Sequence, residues 1–374
     1  MKFNLYDEVE TRCDKIDLYN NYEIDITLLL EIDNTSELSR PYRISKIEFK
    51  SDIHESPLYK DLDTFIKKLN VQIQEINNES SKSWQVFYLY KEIFQFIQNK
   101  YKFNYFRGQR KDWKLLPGIL RKETSSEFRH EFERIYKKVS EDFPEKVEYI
   151  PFKKNMEITS FSERVKQLSM LQHYGFNTSL IDLTENPYIA MLFMISGSNR
   201  DELDDPVIDC FSINEEHKMN NLFVTVKKDS SNQRIIAQKG AFLCFDNLSD
   251  IAESSIQKIN RIRIKINIEN KEDEIFSKYE ELKTKITENE NGLNTGFKNH
   301  MIKNIHIFGQ NRSELNKEFN RKRMDAFRYI KTELGRKLEE FHYYEKDLFP
   351  DFEQYIKYTM ENYENSNKLQ VSET

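Results

Sequence analysis

Residues 103–121 read FNYFRGQRKDWKLLPGILR. An apolar run at 103–106 is a short strand that ends in the turn signal Phe106-Arg107-Gly108-Gln109. The whole chain has nine glycines, so each one marks a backbone requirement that other residues meet poorly. Two of them, Gly108 and Gly118, fall inside this segment. An arginine beside an obligatory glycine, followed by an amide, aims Arg107 and Gln109 at an anionic group. The plain alternative is an ordinary turn in which Arg107 pairs with Asp182 or Glu123.

Upstream, residues 22–32 and 42–49 alternate or are β-branched in the manner of strands, with a polar turn between them. Pro57 then opens an amphipathic helix carrying Leu58, Leu62, Phe65, Leu69, Ile73 and Ile76 at spacings of three and four. The polar residues 77–83 read as a linker. A nearly continuous apolar run at 84–97 is a buried helix.

Downstream, Thr124 with Glu127 and Ser160 with Glu163 read as capping boxes for two helices. The first ends at Pro144, the second at Gly175, which suits a left-handed C-terminal position. Residues 180–183 form a short strand, and Asn186-Pro187 starts an apolar helix over 188–195. Strands are expected at 207–212, 222–226, 235–245 and 262–268, a charged insertion at 269–295, and a long helix at 317–341 with Phe319, Met324, Phe327, Ile330, Leu334, Leu338 and Phe341 inward.

The expectation is an α+β protein in which a mixed or antiparallel sheet is flanked by buried helices. Residues 1–80 form a small N-terminal β-rich module with one helix, residues 81–362 the main domain, and 363–374 a polar tail.

Composition excludes several function classes. With 27 Phe and 20 Tyr, the chain holds too much apolar surface to be disordered despite a mean hydropathy of -0.76. A net charge of -6 excludes a globally basic nucleic-acid footprint. The basic residues of the late helix, such as Arg321, Arg323 and Arg328, interleave with Glu318, Asp325 and Glu333, as on a solvated face. No apolar run reaches the ~18–20 residues that span a bilayer. The N-terminus has no secretory signal pattern, so a cytoplasmic location is expected. Cys13, Cys210 and Cys244 read as buried thiols, and nothing around His173 has metal-ligand spacing, so no metal site is predicted.

Two further segments concentrate unusual residues. One is Gln172-His173-Tyr174-Gly175, continuing through Thr178-Ser179-Leu180-Ile181-Asp182-Leu183-Thr184 to Asn186-Pro187. The other is Ala237-Gln238-Lys239-Gly240-Ala241-Phe242. Taken with Arg107-Gly108, Leu116-Pro117-Gly118-Ile119-Leu120-Arg121 and the late Leu348-Phe349-Pro350-Asp351, they resemble the FRG domain family, named for its Phe-Arg-Gly motif. The likeness runs over roughly residues 84–358. It departs from the family pattern at Ser179, where an arginine is usual, and at Leu183, where an aromatic is usual.

The family also bears a distant likeness to the ADP-ribosyltransferase fold, which splits its NAD site over three motifs on a split sheet. That resemblance implies Arg107, Asp182 and Gln238 as catalytic residues, and Arg107, Gly108, Gln109, His173 and Thr184 as residues that bind NAD or another nucleotide. NAD is implied as substrate, with no tightly bound cofactor. Gln238 stands where a glutamate is usual and is neutral, so Asp182 becomes the carboxylate nearest to hand. Residue by residue, plainer roles compete: a helix C-terminal cap for His173, a helix cap for Asp182, N-cap duty for Thr184 and Asn186, a β-bulge at Gln238 and Gly240. The function implied is a bacterial defence or toxin–antitoxin effector. The alternative is a non-enzymatic binding module for a protein partner, a nucleotide signal or nucleic acid.

Overall fold

The computed structural model describes residues 18–30, 40–78, 85–196, 203–227, 233–246, 257–269 and 295–350, with the short pieces 355–356 and 359–360; over 295–315 only the backbone is described. Among these residues eight strands form one open sheet. They are β1 (Tyr19–Leu30), β2 (Tyr42–Ser51), β3 (Tyr105–Gln109), β4 (Leu180–Thr184), β5 (Val207–Ser212), β6 (Phe223–Val224), β7 (Gly240–Cys244) and β8 (Ile259–Glu269). Their order across the sheet is β2-β1-β8-β5-β3-β4-β7-β6. The β1–β8 pair is parallel and every other pair is antiparallel, so the sheet is mixed.

Among the described residues eight helices accompany the sheet: α1 (Pro57–Asn78), α2 (Val86–Tyr101), α3 (Ser126–Asp142), α4 (Ile158–His173), α5 (Pro187–Ile195), α6 (Glu215–Met219), α7 (Gln233–Ala237) and α8 (Thr295–Glu340). The period-two alternation of the strands gives each face its own core. Phe106, Ile208, Cys210, Ile262, Ile264 and Ile266 pack with α1, α2, α5 and the C-terminal part of α8. Tyr105, Leu183 and Phe211 pack with α3 and α4 on the other side. The α+β class is as expected. Strands β1 and β2 and helix α1 share a sheet and a core with the rest of the described chain through β1–β8.

Several local expectations need correcting. The N-cap of α3 is Ser125, whose Oγ accepts from the Phe128 amide, while Thr124 donates to the Gly118 carbonyl instead. Helix α4 starts after Glu157 with no side-chain cap, so Ser160 lies inside it. The run 235–245 is not one strand: Ile235 belongs to α7, Lys239 takes a left-handed φ of 48°, and β7 begins only at Gly240. Phe341 turns outward at 50% exposed. Cys210 and Cys244 are buried free thiols that burial pushes well above the ordinary cysteine range, which leaves them poor nucleophiles. Cys13, the residues 79–83 of the linker, most of the 269–295 insertion and the 363–374 tail lie outside the described residues.

One capping device carries a pH prediction. His217 in α6 is 1% exposed, and its Nδ1 accepts from the Asn214 amide while its Nε2 donates to the Gln257 carbonyl. That pattern requires neutral imidazole. Burial lowers the His217 pKa from its ordinary 6.5, with the Gln257 carbonyl and Glu216 acting in opposition. The folded value lies below the unfolded one, so the contribution to stability is complete above pH ~6.5 and is lost as pH falls through the folded pKa. Urea midpoints measured from pH 7.5 to 5 are expected to drop on the acid side, and to drop less in His217→Gln. Equal pH slopes in the two proteins would refute the assignment.

Candidate functional site

A cleft of about 290 Å³ opens where β3 and β4 part. The two strands are joined by the single register pair Phe106↔Thr184, whereas β3 pairs with β5 along all five of its residues. Beyond Phe106 the seam between β3 and β4 is bridged by a side chain: Arg107 Nη1 donates to the Asp182 carbonyl at 2.8 Å. The same nitrogen lies 3.9 Å from Asp182 Oδ2.

Burial pulls the Arg107 pKa below the usual arginine value. Asp182 opposes that shift, Arg121 reinforces it and Asp209 opposes it. Arginine keeps its proton even so, which leaves a desolvated cation at the cleft with modest compensation. Its Nε has no hydrogen-bond partner among the described residues.

The cleft gathers Arg107, Gly108, His173, Asp182, Thr184 and Gln238. Gln109 is the exception: it is 6% exposed, buried beside the seam, and does not line the cleft. Gly108 contributes backbone, and its lack of a side chain is demanded by α5, which crosses β3 there. Thr184 is 2% exposed; its hydroxyl donates to the Gln238 carbonyl at 2.7 Å and accepts from the Asn186 amide, so it pins the α7–β7 turn. Asn186 is the expected N-cap of α5, accepting from the Tyr188 amide. Gln238 sits in that turn rather than in a strand, and its amide donates to the Leu348 carbonyl at 3.0 Å.

Asp182 is not a helix cap. It is the exposed position of β4, with its side chain 54% exposed, and it accepts from Gln172 Nε2 at 2.7 and 2.8 Å. Ser179, where the family usually has arginine, is fully buried and outside the cleft lining, and here Gln172 and Arg107 take the contacts to Asp182.

Three lining residues were not anticipated. Arg234 on α7 donates to the His173 carbonyl and lies 5.7 Å from the centre of the Phe349 ring. Phe349 follows the 3-10 turn Glu345–Leu348 and closes one wall. Gln172 lies in the last turn of α4. Phe349 and Gln172 each stood within a quoted motif, whereas Arg234 has no local signal at all. The lining therefore combines two guanidinium groups, one carboxylate, two side-chain amides, His173, the partly exposed Phe193 and Phe349, and the buried Phe106 and Phe242. Among the described residues no cluster of His, Cys, Asp or Glu has the arrangement of a metal site, and no helix is long and apolar enough to cross a membrane.

Fold and cleft together define an α+β protein whose open mixed sheet carries a polar, arginine-lined pocket at a strand seam. The family model described as the FRG domain matches residues 102–203. The match includes Arg107, Gln172, His173, Asp182 and Thr184, while Arg234, Gln238 and Phe349 lie beyond it. No curated protein and no solved structure matches the chain.

Proposed function

We propose that the cleft binds NAD or a related nucleotide. The observation that carries this reading is the Arg107 guanidinium, partly buried at the split in the sheet, with its Nε unpartnered among the described residues and Asp182 Oδ2 3.9 Å away. A buried arginine fork suits a phosphate group bidentately. Arg234 supplies a second cation, and Phe349 beside it suits a planar ring. The volume lies at the lower end of the ~300–1,000 Å³ that small-molecule sites occupy, enough for part of a dinucleotide.

Turnover would fall to Asp182, because it is the carboxylate in the lining and Gln238 is neutral. An effector of defence or toxin–antitoxin type is the role that NAD consumption would suit. A non-enzymatic nucleotide-binding module is the second reading. It is favoured by Gln238 and Thr184, whose polar atoms are already engaged in holding the cleft wall.

Calorimetric titration with NAD, alongside a nicotinamide-release assay, tests both. Arg107→Ala is expected to weaken NAD binding on the order of 10–100-fold, the worth of hydrogen bonds to a charged group. Unchanged binding in a folded Arg107→Ala protein would sink the pocket. Nicotinamide release abolished by Asp182→Asn selects the enzyme, and binding without release selects the module.

A further inference from the structure

We infer that residues 341–349 form a strap that docks on the cleft together with the ligand, so that the seating of a nucleotide base and the closing of the strap favour one another. The inference rests on the cleft being a nucleotide pocket.

The chain leaves α8 after Glu340 and turns at His342, whose left-handed φ of 61° is one a non-glycine residue adopts at a cost. Among the described residues, the backbone-to-backbone hydrogen bonds of this segment run only within it and to the end of α8. Phe341, His342 and Tyr343 donate to Leu338 and Glu339, and Asp347 and Phe349 donate to Tyr344 and Lys346. Side chains hold it to the body. Asn186 Nδ2 donates to the Tyr343 hydroxyl at 3.0 Å, the Tyr343 and Tyr188 rings lie 5.5 Å apart, and Gln238 Nε2 donates to the Leu348 carbonyl at 3.0 Å. Leu348 is the one buried residue of the segment, at 3% exposed. A segment with one buried side chain and no backbone ladder to the sheet lies at the low end of local stability.

Both tethers come from the frame of the cleft: Gln238 lines it, and Asn186 caps α5. Phe349, at the far end of the strap, lines the cleft beside Arg234. A base that packs on Phe349 has that contact only while the strap is docked. By linkage, the base then holds the strap down as strongly as the docked strap holds the base. A phosphate on Arg107 has no such dependence, because Arg107 belongs to β3 inside the sheet and bonds the Asp182 carbonyl. The strap therefore senses the base and not the phosphate.

The test follows Lys-C cleavage after the exposed Lys346 by mass spectrometry of the full chain, alone, with saturating ADP and with saturating inorganic pyrophosphate. ADP is expected to slow the cut about tenfold, the worth of one stacked base, and pyrophosphate to leave it unchanged. Phe349→Leu should remove the difference between the two ligands. Tyr343→Phe loses a tether outside the cleft lining. It is expected to speed the cut and to weaken ADP binding several-fold in calorimetry, with pyrophosphate affinity kept, a separation that a merely structural role for Tyr343 would not produce. Bound ADP that does not slow the cut, equal slowing by the two ligands, or an ADP effect that survives Phe349→Leu overturns the coupling. So does a Lys346 bond that resists cutting in wild type and Tyr343→Phe alike, which would make the segment a fixed wall. Each of these results leaves the nucleotide pocket standing. Wild type that binds neither ligand overturns the inference as well, and failure of NAD to bind in the titration above then removes the pocket itself.

Discussion

Gly108→Ala is expected to destabilise the protein by more than about 3 kcal/mol, at or beyond the upper end of ordinary overpacking. A Cβ at this position would stand 1.8 Å from the Ala190 carbonyl oxygen, 2.8 Å from its carbon and 2.9 Å from the Met194 nitrogen. All three are backbone atoms of α5, so no side-chain rotation relieves the overlap. Neither can the elements part easily. Strand β3 is held between β5 and β4 inside the sheet, and Ala190, Met191 and Met194 are fully buried. The informative control is Gly335→Ala in α8, where the nearest atom is Ile195 Cδ1 at 3.8 Å, an ordinary contact. There alanine is expected to be neutral or to stabilise by ~0.5–1 kcal/mol, because it suits a helix interior better. Urea unfolding of the three proteins decides the matter. A Gly108→Ala midpoint equal to wild type would mean that α5 does not sit where the structure has it.

That result bears on what the FRG signature encodes. In sequence, Arg107-Gly108 reads as a turn that aims an arginine. In the structure the two residues do separate work on opposite sides of β3: the glycine lets α5 approach, and the arginine bridges to β4. A lone glycine announces that space or torsion is needed, and which of the two it is depends on an element eighty residues later. Gly175 was legible because its need is local, a left-handed residue after a helix. The Asn186-Pro187 start of α5 was legible for the same reason.

What could not be read has a common cause. The parallel pairing of β1 with β8 joins residues some 240 positions apart, as in the Asn20–Asn260 side-chain bond, and a parallel pair leaves no turn between its strands. The run 235–245 looked like one strand because Ile235, Ile236 and Ala237 continue the apolar pattern of β7. Only the positive φ of Lys239, a residue with no preference for it, separates them. Asp182 is the exposed position of an otherwise buried strand, and nothing in the apolar run around it marks that exposure. The cleft was thus legible as a set of residues but not as a geometry. Arg234 and the engagement of Gln238 with Leu348 emerged only once the C-terminal segment was in place.

Arg164→Ala is expected to cost about 3–5 kcal/mol, the range for breaking a buried ion pair by removing one partner. Arg164 is fully buried in α4. Its Nε donates to Asp246 Oδ2 at 2.8 Å, its Nη2 to Glu133 Oε1 at 2.6 Å and its Nη1 to the Ile150 carbonyl at 2.6 Å. The guanidinium also lies within 6 Å of the Tyr136 and Phe152 ring centres, so the planar group is held on its edges and near aromatic faces at once. Alanine strips Asp246, itself fully buried, of this guanidinium and leaves a cavity the size of the side chain. Lysine keeps the charge, but its compact ammonium cannot match a fork that serves three acceptors, so Arg164→Lys should recover only part of the loss. The decisive comparison is Arg164→Met with and without Asp246→Leu. When the Arg164 and Asp246 charges both go, their desolvation cost goes with them, while Glu133, 34% exposed, loses the guanidinium equally in both variants, and the double variant is expected to be more stable than Arg164→Met alone. If urea unfolding puts the double variant below the single one, the cost lies in lost packing rather than in a stranded carboxylate.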